Sequence, residues 1–306
     1  MITREELQHM ASLFLDKAAQ NVITEKTAAA TEDIGSSIYD EPLIGIASAD
    51  DPLWEEFKKP EANLPLLRGP KEWLPEAKSV ISVFGPFSDH VLQSNAKDPV
   101  YTGSAWLSAY NTGGSLIKQA GVQLAEWLTE NGWPSVAPIP SDAFYRVMQE
   151  SADAPGVSYT SNWSERHAAF VCGLGTFGLS RGLITKRGIA GRFVSIVTTL
   201  PLKPTPRPYT GLYEYCTMCG KCADNCPAGA ISFEEGKKHP PCNAWLDKMG
   251  EWTILSFGKI NVNPYFYWIY YAHASVCVIF SKSPCFIDIL GKISSKKIIK
   301  KMPASK

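Results

Sequence analysis

The chain has no excess of charge of either sign: 30 Lys and Arg stand against 30 Asp and Glu in 306 residues. The whole chain therefore lacks the polyelectrolyte character of a nucleic-acid binder, which leaves only a local basic patch for such a role. Histidine is scarce, with 5 residues, and His90, His239 and His273 have no partner at metal-site spacing. Surface or structural roles suit them better. There is no internal repeat. Residues 265–280 form an uncharged aromatic run that falls short of the roughly 20 apolar residues a transmembrane helix needs. The opening Met1-Ile-Thr-Arg-Glu-Glu-Leu7 has no apolar signal core. We expect no stable membrane span and a cytoplasmic protein.

Against these absences, one stretch is dense with chemistry: Cys216-Thr-Met-Cys219-Gly-Lys-Cys222-Ala-Asp-Asn-Cys226-Pro227. Its spacing, C-x2-C-x2-C-x3-C-P, is the bacterial ferredoxin run for a [4Fe–4S] cluster. A cubane needs thiolates arriving from several directions, and three cysteines two residues apart can wrap a turning backbone around it. The fourth is carried onward and, in two-cluster proteins, ligates the other cube. Paired C-x2-C units also suit structural zinc, but four cysteines so close, ended by Cys-Pro, favour the cluster. Eight cysteines, four of them in this run, point to metal binding in a reducing compartment rather than a disulfide framework.

Around this run the chain reads as alternating helices and strands. Thr3 and Glu6 form a capping box, and Leu7, Met10, Phe14, Leu15 and Ala18 then follow helical spacing. Residues 43–47 and 80–84 are short apolar runs with the look of buried strands. Leu116, Ile117, Ala120, Leu124, Trp127 and Leu128 share one face of a helix over about 105–130, stopped by Asn131-Gly132 and Pro134. A strand is expected at 136–139, and a β-branched one at 193–199. These elements predict an α/β or α+β layered catalytic domain over 1–205, followed by a ferredoxin-like domain over 206–250. Pro201, Pro204, Pro206 and Pro208 mark the boundary, and an aromatic, Lys-rich tail occupies 251–306.

Between Ser161 and Arg192 lies Gly173-Leu-Gly175-Thr-Phe-Gly178, a G-x-G-x-x-G pattern. A dinucleotide loop would follow a strand, whereas 165–172 reads as a helix, and no acidic residue follows before Glu214. The glycines instead predict close backbone approach or positive φ, in a loop that meets a planar cofactor or packs tightly on its own.

Glu165-Arg166, the three glycines, Ile184-Thr185, Gly191, the strand and the cysteine run, in this order and spacing, resemble the epoxyqueuosine reductase family. That family is related to the catalytic subunits of reductive dehalogenases. The match covers roughly residues 155–246, and Cys242 sits where the family has its isolated fifth cysteine. The resemblance implies one or two [4Fe–4S] clusters feeding a corrinoid (cobalamin), with Arg166, Gly173, Leu174, Gly175 and Gly178 at cofactor-binding positions. It also implies a small-molecule or tRNA-nucleoside substrate and an electron donor such as ferredoxin or flavodoxin. Tyr159 stands at the family's catalytic Asp, and a tyrosine in that role is similar to the proton donor of reductive dehalogenases. Leu179 replaces the family's Lys.

For a second cluster this chain offers Cys226 and Cys242 with Cys277 and Cys285, but no further C-x2-C pair. Cys226, Cys242 and Cys277 with a foreign ligand, or as a three-iron form, would serve, with Cys285 completing the first cube. Alternatively Cys216, Cys219, Cys222 and Cys226 hold one cube alone. The leading expectation is an iron–sulfur reductase. Its rival is an electron-transfer protein that has kept clusters and lost the corrinoid.

Overall fold

The computed structural model describes residues 2–16, 20–59, 64–97, 102–147, 160–245 and 248. Tyr159, Cys277 and Cys285 lie outside the described residues, as does the tail.

Helix α1 (Arg4–Asp16) starts at the expected capping box. The Thr3 amide donates to Glu6 Oε2 at 2.7 Å, and the Glu6 amide to Thr3 Oγ1 at 3.1 Å. Strand β1 (Leu43–Ser48) is followed by short helices α2 (Leu53–Glu56) and α3 (Pro70–Trp73), then β2 (Ser79–Pro86) and α4 (Asp89–Ala96). Long helix α5 (Ser104–Glu130) leads to short strands β3 (Ser135–Val136), β4 (Arg146–Val147) and β5 (Thr160–Ser161). Helix α6 (Glu165–Val171) precedes β6 (Gly175–Phe177), β7 (Leu183–Thr185) and β8 (Gly191–Thr198). Helix α7 (Lys221–Asp224) and the hairpin β9 (Ile231–Ser232) and β10 (Gly236–Lys237) follow, and residues 239–245 are helical.

The main sheet has the order β1-β2-β8-β3, and every pairing in it is antiparallel. Ile81 lies opposite both Ile46 and Ile196, which fixes the register at the centre. An antiparallel sheet flanked by helices is the α+β form of the two architectures expected, since parallel strands would require crossover helices. The expected strand at 136–139 is only the end of an edge strand, Ser135–Val136, because Pro138 and Pro140 deny the ladder its amide donors.

Both faces of the sheet are covered. Ile46, Ile81, Val83, Val194 and Ile196 pack with α1, α4 and α5, while Val80 and Val197 pack with Phe170 and Trp163 on the α6 side. In α5, Leu116, Ile117, Ala120, Leu124 and Leu128 are buried as the spacing predicts, with Trp127 at the margin. Each such large apolar side chain contributes roughly 1.5–3 kcal/mol when fully buried. Residues 201–209 lie along this body: Thr205 N donates to Ile46 O at 2.9 Å, and Tyr209 OH to Phe170 O at 2.7 Å.

Candidate functional site

Two features meet in this fold, a knot of thiols and a cavity. The knot begins where the chain turns after Tyr213, whose carbonyl accepts from Cys216 N at 2.9 Å. Met218 and Gly220 both hold positive φ, at 51° and 75°. Both left-handed residues fall between Cys216 and Cys222, the tight turning that closely spaced cluster thiolates require. At Gly220 a Cβ would sit 2.7 Å from the Phe233 ring, so the loop is held tight against the hairpin. Cys222 is buried beside Leu179 and Ile231, with Cys216 and Cys226 packed against them. Cys242, also buried, joins Ala230, Ala228 and Cys226.

None of the six described cysteines is joined in a disulfide. Burial and the neighbouring Cys216 and Cys219 push the Cys222 thiol up to about 11, and burial raises Cys242 as well. Among the described residues, no three His, Cys, Asp or Glu side chains close on a point as a single ion would require. A cube of iron and sulfide holds its thiolates farther apart, and the soft sulfur donors match it. The residues present fit a cluster at Cys216, Cys219, Cys222 and Cys226. Cys242 stands beside the last of these.

The cavity, of about 310 Å³ and half-enclosed, lies between α5, α6 and β8. Helix α5 contributes Trp106, Tyr110, Asn111 and Lys118, while α6 contributes Glu165, Arg166 and His167 from its first turn. Glu165 is held by a chain of hydrogen bonds. Trp163 Nε1 donates to Ser195 Oγ at 2.8 Å, and Ser195 Oγ donates to Glu165 Oε2 at 2.6 Å. Burial dominates these bonds and pushes the Glu165 carboxyl up to about 7. His167 Nδ1 lies 2.7 Å from Ser164 Oγ, and its ring packs against Phe57 and Phe177. Burial depresses it to about 3, so it is neutral at neutral pH.

Several buried polar atoms on residues lining this cavity, among them Trp106 Nε1, Asn111 Oδ1, Thr160 Oγ1 and Glu165 Oε1, have no protein partner among the described residues. Each is costly to leave unmade, so their gathering on one cavity points to a ligand that supplies the missing partners. A corrin ring carries amide side chains that both donate and accept, and the aromatic walls suit its flat body. These residues fit the polar edge of such a group, while a cavity of about 310 Å³ takes only part of a whole corrinoid.

Of the residues expected to bind a cofactor, Arg166 lines the cavity, and one of its nitrogens donates to Arg181 O. Gly173, Leu174, Gly175 and Gly178 do not line it. They build the α6–β6 junction instead, in the order helix–loop–strand, the reverse of a dinucleotide loop. A Cβ at Gly175 would fall 1.9 Å from Ile184 O, so two backbones meet there. Leu179, where the resemblance has a Lys, is buried against Cys222.

The basic residues 181, 186, 187 and 192 do not act as one surface. Arg187 pairs with Asp40, and Arg192 lies inside the cavity with its guanidinium 3.7 Å from the Tyr110 ring centre. Sequence reasoning missed Trp106, Tyr110, Asn111, Lys118 and Arg146 as site residues. A signal was present: Tyr110-Asn111, Gly114-Ser115 and Lys118 recur at helical spacing and interrupt the apolar face of α5.

A family model described as a 4Fe-4S binding domain matches residues 212–232. The tetrachloroethene reductive dehalogenase of Desulfitobacterium hafniense is 42% identical over 71 residues, which is 23% of this chain and 13% of that protein. The chain thus spans a small part of the curated relative it matches. A solved epoxyqueuosine reductase from Streptococcus thermophilus is similar at a TM-score of 0.46 and 15% identity, covering 94% of this chain and 66% of the other. An epoxyqueuosine reductase solved with a modified tRNA stem loop gives a TM-score of 0.40 at 18% identity, covering 67% and 53%. No described helix is long and apolar enough to cross a membrane. The chain carries a 4Fe–4S binding segment and is similar to reductive dehalogenases over a short stretch, with epoxyqueuosine reductases among its structural neighbours.

Proposed function

We propose that this chain is an iron–sulfur-dependent reductase that delivers single electrons to a group bound in the α5–α6 cavity. The observation that carries the reading is a shared wall. Leu179 packs on Cys222 while the next residue, Ser180, lines the cavity. Lys237 lines the cavity as well, and its ammonium lies beside the Cys242 thiol. Electron source and cavity are therefore separated by single side chains.

In this reading Cys216, Cys219, Cys222 and Cys226 hold a [4Fe–4S] cluster, with Cys242 the first ligand available to a second. A corrinoid, when bound, supplies the strongly reducing cobalt that no side chain provides. Trp106, Asn111 and Thr160 orient the cavity's occupant through the polar atoms they leave unmade. The aromatic walls exclude water from it. Glu165 is poised near neutrality, with Oε2 fixed by Ser195 and Oε1 available to hold or give up a proton. Tyr159 remains the proposed second acid, and its chain neighbour Thr160 lines the cavity. The substrate class is a small organic molecule or a modified tRNA nucleoside, and a ferredoxin or flavodoxin is the proposed donor. The division at about 205 into reductase and ferredoxin-like domains belongs to the same proposal.

The test is anaerobic titration of iron-loaded protein with cobalamin, followed by absorption and electron paramagnetic resonance. Saturable binding near one equivalent, weakened when Asn111 or Trp106 is replaced by Ala, is expected. Iron-loaded protein that leaves the cobalamin spectrum unchanged would contradict the corrinoid and favour the electron-transfer alternative. The buried Leu179 at the family's Lys position is the observation on that alternative's side.

A further inference from the structure

The same cavity has an uneven charge. Lys118 of α5, Arg146 of β4 and Arg192 of β8 all line it. Both arginines act on Lys118 as like charges, and they join burial in lowering its pKa. Among the described lining residues Glu165 is the one carboxylate that offsets them, and its own burial favours its neutral form. Arg192 is already engaged: it stacks on Tyr110, and its Nη2 donates to Tyr110 O at 3.3 Å. Three cations crowded around a half-buried pocket repel one another, a cost that an incoming anion relieves. Among the described residues, Trp106 Nε1 is a buried donor without a protein partner on a residue lining the cavity, and Thr160 Oγ1 is a second such group. Phe144 and Tyr110 add aromatic surface.

We infer that this cavity also takes an oxyanion, a phosphate or carboxylate, seated between Lys118 and Arg146, where the Tyr110 and Phe144 rings already carry the guanidinium groups of Arg192 and Arg146. This rests on the reductase reading only for what happens to the ligand, not for its binding. The charge arrangement gives the lysine at 118 in the polar stripe of α5 a role. It also explains why a carboxylate that titrates near neutrality stands opposite. An anionic ligand and an ionised Glu165 compete for the same cations, so ligand binding favours the protonated acid.

Calorimetric titration of the iron-loaded protein, anaerobic and with millimolar phenyl phosphate, benzoate and benzyl alcohol, tests this. At least one of the two anions should bind about tenfold or more tightly than the neutral alcohol, and which of them does so identifies phosphate or carboxylate. Lys118→Met and Arg146→Met should each erase the preference, while Lys118→Arg should keep it. Equal affinity for all three probes, no heat from either anion, or an undiminished preference in Lys118→Met would overturn the inference. The reductase reading fails separately. Anion binding by a chain that takes up no iron would leave this site standing and remove that reading.

Discussion

Glu165 carries a half-buried carboxyl at the first turn of α6, with one oxygen satisfied by Ser195 and the other on the cavity side. Its pKa in the fold, about 7, exceeds the ordinary 4.5, so the folded chain holds this proton more tightly than the unfolded chain. The associated stability is complete below about pH 4.5 and is lost as pH rises through 7. Thermal melts of the wild type should therefore fall between pH 5 and pH 8 by the equivalent of a few kcal/mol more than those of Glu165→Gln. Parallel profiles for the two proteins would show that the carboxyl is not desolvated. The sequence made Glu165 visible as a motif residue, yet not as a proton carrier. Its shift depends on Trp163 and Ser195, and Ser195 lies on a strand 30 residues away. No local pattern reports such a neighbour.

At the scale of elements, periodicity served well wherever burial follows one face. The capping box of α1, the apolar face of α5 and the strands at 43–48, 79–86 and 191–198 were all legible for that reason. The glycine loop was legible in form but not in purpose. Gly173 holds a φ of 82°, and Gly175 brings its backbone against that of Ile184, a packing demand that looks in sequence like a cofactor loop. Because a Cβ at 175 would strike backbone 1.9 Å away, Gly175→Ala must part β6 from β7. We expect a loss of about 3 kcal/mol or more in urea unfolding. A loss of only a few tenths would mean that the hairpin gives way freely. The cavity residues of α5 escaped notice because a helix that is apolar for most of its length reads as core, and its polar stripe becomes a site only when α6 and β8 are folded against it.

Over the whole molecule, the alternation of helices and strands announced a layered fold without deciding between parallel and antiparallel strands. That choice depends on pairing across distances that no local signal encodes. Arg192 illustrates the same limit. It lies near Arg181, Lys186 and Arg187 in sequence, yet it turns inward onto Tyr110 while Arg187 binds Asp40 at the surface. The cysteine run, by contrast, was readable at once, because a cluster's demands are met within eleven residues. What only the fold reveals is that Cys222 packs on Leu179, the chain neighbour of the cavity-lining Ser180, and that Lys237, which also lines the cavity, lies beside Cys242. The central claim is that Cys216, Cys219, Cys222 and Cys226 hold a redox cluster there. Its most direct test is the iron, sulfide and zinc content of anaerobically purified protein, with a paramagnetic resonance spectrum after reduction. The account predicts about four irons per chain, or about eight with a second cluster, matched by labile sulfide and reduced in Cys222→Ser. About one zinc with no iron or sulfide would contradict it and make the run a structural site.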